Sequence, residues 1–218
     1  GKLPVVLPKA NRMENLQSLY LGDQYPQQIN SLLNSGIFPR LRKLALSCRL
    51  TSLHRLSSLH SLKLYGNLKV PLDTNAFPSN LTKITFNPDA FCDPHPFLKT
   101  LGRLTSLQIL KLKSIEGIWL DGNIVLDIGM GEFPQLQVLH MKRIRVRQWR
   151  LERGAMPRLR HLLMDDCLWL SEVPEELWSL TALRLLHLLR PSEELTESLK
   201  NVEPRNGCKL IISNAYPS

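Results

Sequence analysis

In Gly154-Ala-Met-Pro-Arg-Leu-Arg-His-Leu-Leu-Met-Asp-Asp-Cys167, the apolar residues Leu159, Leu162 and Met164 stand among charges at spacings of three and then two. An amphipathic helix would place them at three and four, and a half-buried strand would alternate strictly. The mixed spacing describes a turn that leads into a short strand. Its first apolar residue lies in the turn, the next two alternate on the strand, and all three point to one side.

The same frame returns along the chain. It is found at Leu16/Leu19/Leu21, Leu41/Leu44/Leu46, Leu59/Leu62/Leu64, Leu81/Ile84/Phe86, Leu107/Leu110/Leu112, Leu136/Leu139/Met141, Leu159/Leu162/Met164 and Leu183/Leu186/Leu188. Successive copies start 18 to 29 residues apart, with a mean of about 24, a period that belongs to leucine-rich repeats. One strand cannot bury its inward edge alone, so the copies must stack. The expected fold is therefore α/β: a leucine-rich-repeat solenoid, horseshoe or arc, with a parallel sheet on its concave side, about eight to nine repeats and an irregular convex side. Residues 1–218 are expected to form a single such domain, with 195–218 as a C-terminal cap made of a helix and a last strand. The start offers only Leu3 to Leu7 as cover, so fraying is expected there.

Between strands, Ile29, Leu32 and Leu33, and again Leu177 and Leu180, suit one or two helical turns. Phe38-Pro39, Phe77-Pro78, Phe133-Pro134 and Met156-Pro157 each set a proline just before a frame leucine, ending the preceding segment while the apolar neighbour plugs the convex side. Asn67 and Cys167 occupy positions from which a side chain bonds the turn backbone. Two intervals depart from the mean. The short one, around Leu50 to Leu53, is expected to tighten the curve. The long one carries Glu116 to Glu132 with four glycines, which reads as a loop or an extra hairpin on the rim.

Composition limits the functions available. With 218 residues and 43% hydrophobic content the chain is expected to fold, and no apolar run reaches the roughly 18 residues of a membrane helix. The start is no secretory signal. Cysteines at 48, 92, 167 and 208 form neither a CxxC pair nor a local zinc site, which points to a reducing compartment. Asn80-Leu-Thr82 reads as a chance sequon. The formal net charge is +9, with six basic residues against Glu152 between Lys142 and Arg153, and an acidic finish from Glu172 to Glu203. Such asymmetry favours oriented contacts with a partner over general adhesion to nucleic acid, for which no aromatic and basic interleaving is present.

The run Gly131-Glu-Phe-Pro-Gln-Leu-Gln-Val-Leu-His-Met141, followed by Trp149-Arg-Leu-Glu-Arg-Gly-Ala-Met-Pro-Arg-Leu-Arg-His-Leu162 and by Asp166-Cys-Leu-Trp-Leu-Ser-Glu-Val-Pro-Glu-Glu-Leu-Trp-Ser-Leu-Thr-Ala-Leu183, resembles the leucine-rich-repeat end of plant intracellular immune receptors. Within those NLR disease-resistance proteins it is most similar to the coiled-coil class, strongly over residues 131–190 and more loosely before. The resemblance implies a fragment of a longer receptor, acting in innate immunity in the cytoplasm or nucleus. Its partners would be a pathogen effector or a guarded host protein, together with the intramolecular NB-ARC and coiled-coil modules that it helps hold off. No phosphate loop of the form G-x-x-x-x-G-K-[ST] occurs in this chain, so no cofactor is expected here and nucleotide belongs to the NB-ARC module. The alternative is the substrate-binding repeat region of a ubiquitin-ligase adaptor.

Residues flanking the inward leucines should face the concave side. The candidate protein-binding residues are Tyr20, Lys43, Lys63, Tyr65, Lys83, Thr85, Lys111, Lys113, His140, Lys142, His161, Asp165 and His187, a basic strip in the central copies. Arg143, Arg145 and Arg147 alternate with Ile144 and Val146 and read as a second, solvated strand on the convex side or rim. Neither Asp93 with His95 nor Asp165 with Asp166 has the third group that metal or acid–base chemistry would need, so the protein is expected to be no enzyme.

Overall fold

The computed structural model describes residues 13–22, 26–47, 52–66, 73–87, 95–114, 124–204 and 206–214. Eight strands follow the frame: β1 Ser18–Leu21, β2 Lys43–Leu46, β3 Ser61–Tyr65, β4 Lys83–Asn87, β5 Ile109–Lys113, β7 Val138–Lys142, β9 His161–Asp165 and β10 Leu185–Leu189; β11 Lys209–Ser213 adds a ninth beyond the last copy. They form one parallel sheet in chain order, interrupted only where β6 (Ile124–Ile128) and β8 (Val146–Leu151) pair with each other instead. Register is held coil by coil. Leu19, Leu44, Leu62, Ile84, Leu110, Leu139, Leu162, Leu186 and Leu210 lie side by side.

The frame residues make the core. From the second copy to the eighth, every frame residue is at most 4% exposed, whereas Leu16, Leu19 and Leu21 are only half-buried. Each fully buried leucine contributes roughly 1.5–3 kcal/mol of transfer free energy, so the sheet is held chiefly by this inward column. Phe38, Phe77, Phe133 and Met156 are all buried against it, ahead of their prolines. Phe86 and Phe97 add an edge-to-face pair with ring centres 4.7 Å apart.

The strands turn out of the sheet in a repeated way. Gly66, Arg143, Asp166 and Arg190 each follow a strand and each adopt a positive φ, between 49° and 89°. Their N–H groups donate to Asn87, Asp165, Leu189 and Ser213 carbonyls in the next coil at 2.7–2.9 Å. Left-handed backbone costs a non-glycine residue about 1–2 kcal/mol; bonding to the neighbouring coil offsets it. Cys167 adds to the same turn, its thiol lying 3.7 Å from the Met141 and Asp165 carbonyls. Asn67 lies outside the described residues.

The convex side is short and mixed. Helix α1 spans Pro26–Asn34, α2 His95–Gly102 and α3 Glu193–Leu199, while Thr74–Ala76 and Glu175–Ser179 are single 3-10 turns. Ile29 and Leu33 from α1, Leu177 from the second 3-10 turn, and Leu195 and Leu199 from α3 enter the core. Ser192 caps α3 by accepting a hydrogen bond from the Leu195 N–H at 3.1 Å. Helix α3 and strand β11 are the last described elements of the chain.

The long interval differs from its expected form. Where a loop or hairpin was expected between Glu116 and Glu132, residues 124–128 form β6, which runs parallel to β8 from the following coil. A hairpin would require antiparallel neighbours. Of the three alternating arginines only Arg147 lies on β8, since Arg143 turns out of β7 at positive φ and Arg145 precedes the strand; a bulge between Ile124 and Val125 lets Leu126, Ile128, Trp149 and Leu151 all face the core. Residues 115–123 lie outside the described part.

Candidate functional site

Strand alternation fixes which side chains reach the concave surface. The middle outward column runs Tyr20, Ala45, Lys63, Thr85, Lys111, His140, Leu163, His187 and Ile211, one residue per coil in direct register. With parallel strands about 4.8 Å apart, Lys111 sits immediately between Thr85 and His140. Lys43 and Lys83 belong to the column on one side, together with His161. On the other side, Tyr65, Lys113, Lys142 and Asp165 line up.

These positions differ in exposure. Tyr20 is 65% exposed and meets Tyr65 edge to face, ring centres 6.5 Å apart. Lys43, Lys63 and His161 are exposed, and Lys83, Lys111, Lys113, His140, Lys142 and His187 are partly so. Thr85 is 8% and Asp165 only 3% exposed. Asp165 is therefore a buried hub. Its carboxylate accepts from Lys142 Nζ at 2.6 Å and from Arg190 at 2.7 Å, and Arg190 also reaches Asp166 at 3.4 Å. Arg143 joins Asp166 at 3.3 Å. The Asp165-Asp166 pair is thus spent on ion pairs that join three coils.

The lysines feel one another. Burial, then the charges of Lys83, Lys113 and Lys63, hold the Lys111 ammonium below the usual lysine range. His140 is affected more strongly: burial first, then Lys111 and Lys113, push its pKa down to about 4, with Asp165 opposing and Lys142 adding. At neutral pH the ring is uncharged. Like charges gathered in this way raise the local potential and steer acidic groups toward the surface.

The rim at the C-terminal ends of the strands carries a feature outside the leucine frame. Leu168 and Trp169 are 53% and 50% exposed, and the Arg145 guanidinium lies 5.2 Å from the Trp169 ring centre. Their one sequence signal was an apolar pair beyond Cys167, outside the repeat. Arg190, equally absent from the sequence-derived site, follows the eighth strand as Asp166 follows the seventh.

Of the remaining candidates, His95 begins α2 and Asp93 lies outside the described residues. Among the described residues there is no group of three or more His, Cys, Asp or Glu placed to hold a metal ion. None of their helices is long and apolar enough to cross a membrane. The Asn80 side-chain amide donates to the Ser57 carbonyl at 2.9 Å.

Known proteins resemble this chain over most of its length. It is 32% identical over 206 residues to probable disease resistance protein RF45 of Arabidopsis thaliana, covering 88% of this chain and 19% of that protein. A putative late blight resistance protein homolog of Solanum demissum is 25% identical over 215 residues, covering 91% and 16%. Disease resistance protein RPP8 of Arabidopsis thaliana is 32% identical over 136 residues, covering 60% and 14%. The chain therefore spans about one fifth or less of the length of these curated relatives. No protein-family model matches it.

Proposed function

The chain is a leucine-rich-repeat solenoid homologous to plant NLR disease-resistance proteins, and on that premise we propose that it serves an immune receptor as a non-catalytic recognition surface. Its concave face binds a pathogen effector, or a host protein that the effector alters, through an acidic patch on that partner. The observation that carries this reading is the set of lysines converging on Lys111: Lys63, Lys83 and Lys113 all act on it electrostatically. The nearby carboxylate of Asp165 is already engaged by Lys142 and Arg190. Tyr20 and Tyr65, packed edge to face at one end of the strip, add rigid aromatic area of the sort that anchors interfaces.

The test is a Lys63→Ala, Lys111→Ala, Lys113→Ala variant of the whole receptor, co-expressed with candidate effectors. The expected result is loss of partner capture and of the triggered response, with the association rate at low salt reduced roughly tenfold and the difference narrowing at high salt. Unchanged capture and response would overturn the reading.

A second role rests on the rim and convex side. Arg145, stacked on Trp169, and Arg147, exposed on β8, offer a basic and aromatic surface for the receptor's own nucleotide-binding module in the resting state. Reversal of Arg145 and Arg147 to Glu is expected to release the receptor without any effector; an unchanged resting state would remove this role. The ubiquitin-ligase adaptor is the less favoured reading, since the relatives described above are resistance proteins.

A further inference from the structure

His140 lies at the middle of the lysine strip, and its Nε2 is shut off from solvent with no hydrogen-bond partner. Buried polar atoms in folded proteins almost always have a partner, so an orphan at the centre of an outward-facing column asks what completes it. The charged groups that face the ring come from three strands. Lys111 and Lys113 approach from β5, Lys142 from β7 itself, and Asp165 from β9, beside the apolar Leu163 that is in register with His140. Asp165 is held by Lys142 and Arg190 and is not available to the imidazole. Lysine side chains are long and flexible, so Lys111, Lys113 and Lys142 can rearrange around His140 when a ligand engages their ammonium groups.

We propose that His140 is the seat for an acidic side chain of the docked partner: a carboxylate entering between Lys111, Lys113 and Lys142 accepts a hydrogen bond from the Nε2–H, and the ring takes up one proton from solvent as the complex forms. This rests on the concave-docking reading above and adds to it a named contact and a proton. The physical cause is the reversal of the field. In the free protein burial and three ammonium groups keep the imidazole neutral, down to about pH 4. An entering carboxylate cancels part of that field and bonds the charged form, both of which favour protonation. Linkage then requires acid to strengthen binding. If the ring returns to its ordinary value of 6.5, affinity rises about tenfold between pH 7.5 and 5.5.

The experiment is calorimetric titration of this chain with an oligo-L-glutamate peptide, in buffers of different ionisation enthalpy, with the His140 ring followed by NMR. At pH 6 we expect uptake of about three-quarters of a proton per complex. A tenfold gain in affinity should follow on going from pH 7.5 to 5.5. His161 and His187 share the concave face, so the comparison that decides is with His140→Phe, and with His140→Gln should the first variant fail to fold. Both variants should lose the proton uptake and the gain in affinity between pH 7.5 and 5.5, whatever affinity the lysines leave them. Equal uptake in wild type and variants, or none in wild type, overturns the role of His140 and leaves lysine docking in place. Absence of binding that depends on Lys63, Lys111 and Lys113 overturns both.

Discussion

Replacing Asp165 with alanine tests whether the ion-pair hub holds successive coils together or merely decorates them. The side chain is 4% exposed, and it accepts charged hydrogen bonds at 2.6 Å from Lys142 and 2.7 Å from Arg190. Removing one partner of a buried ion pair typically costs 3–5 kcal/mol, because the other charge is left unpaired. Here the cations are 29% and 28% exposed and can hydrate, and Arg190 keeps Asp166 at 3.4 Å. The expected loss is therefore at the low end, about 3 kcal/mol for Asp165→Ala and about half that for Asp165→Asn, which keeps an acceptor. In a chain of this size that is a fall in Tm of roughly 6–12 °C. Urea unfolding followed by circular dichroism measures it directly.

The same substitution has a pH signature. Burial works against the Asp165 carboxylate, but its hydrogen bonds to Lys142 and Arg190 outweigh this and hold its pKa below 3.8. The folded form thus keeps the charged state when the unfolded chain has begun to protonate. The stabilisation is fully present above pH 3.8 and is lost as pH falls below it, through the folded value. Asp165→Ala should lack that acid-induced loss. With the Asp165 charge removed the concave strip is more positive, and an acidic partner should associate faster at low salt although the protein is less stable. A loss below 1 kcal/mol in Asp165→Ala would refute the reasoning, since the hub would then be a surface ion pair with no net effect.

Two further outcomes follow from the core and the turns. Phe86→Ala, which removes a fully buried ring packed edge to face with Phe97, should cost about 3–5 kcal/mol in the same unfolding assay. Of the two described cysteines, Cys167 is buried in its turn, where burial pushes the thiol up to about 11, while Cys208 is partly exposed. At pH 8, native-state alkylation monitored by mass spectrometry should modify Cys208 first and Cys167 only through opening of its coil, and denaturant should abolish the difference.

The repeat frame was legible because its information is local. Leu159, Leu162 and Met164 choose one face within six residues, and the same choice made in each coil fixes strand, direction and register together. That is why the eight strands of the frame lie where the spacing put them. The same alternation assigned Lys63, Lys111 and His140 to one column, which the register places in line.

What the spacing could not supply were relations between coils. Glu116 to Glu132 looked like a rim loop because its glycines are a local signal, whereas β6 exists through pairing with β8, about twenty residues later. Asp165 had the alternation of an outward residue, yet Lys142 from one neighbouring coil and Arg190 from the other close over it. Burial of a charge depends on where its counter-charges fold, and no window of sequence contains both. The chain by itself thus determined the solenoid and the side of it that each residue takes. Only the stacked structure decided which of the concave charges are spent on each other, and that the Nε2 of His140 lies without a hydrogen-bond partner among those that remain.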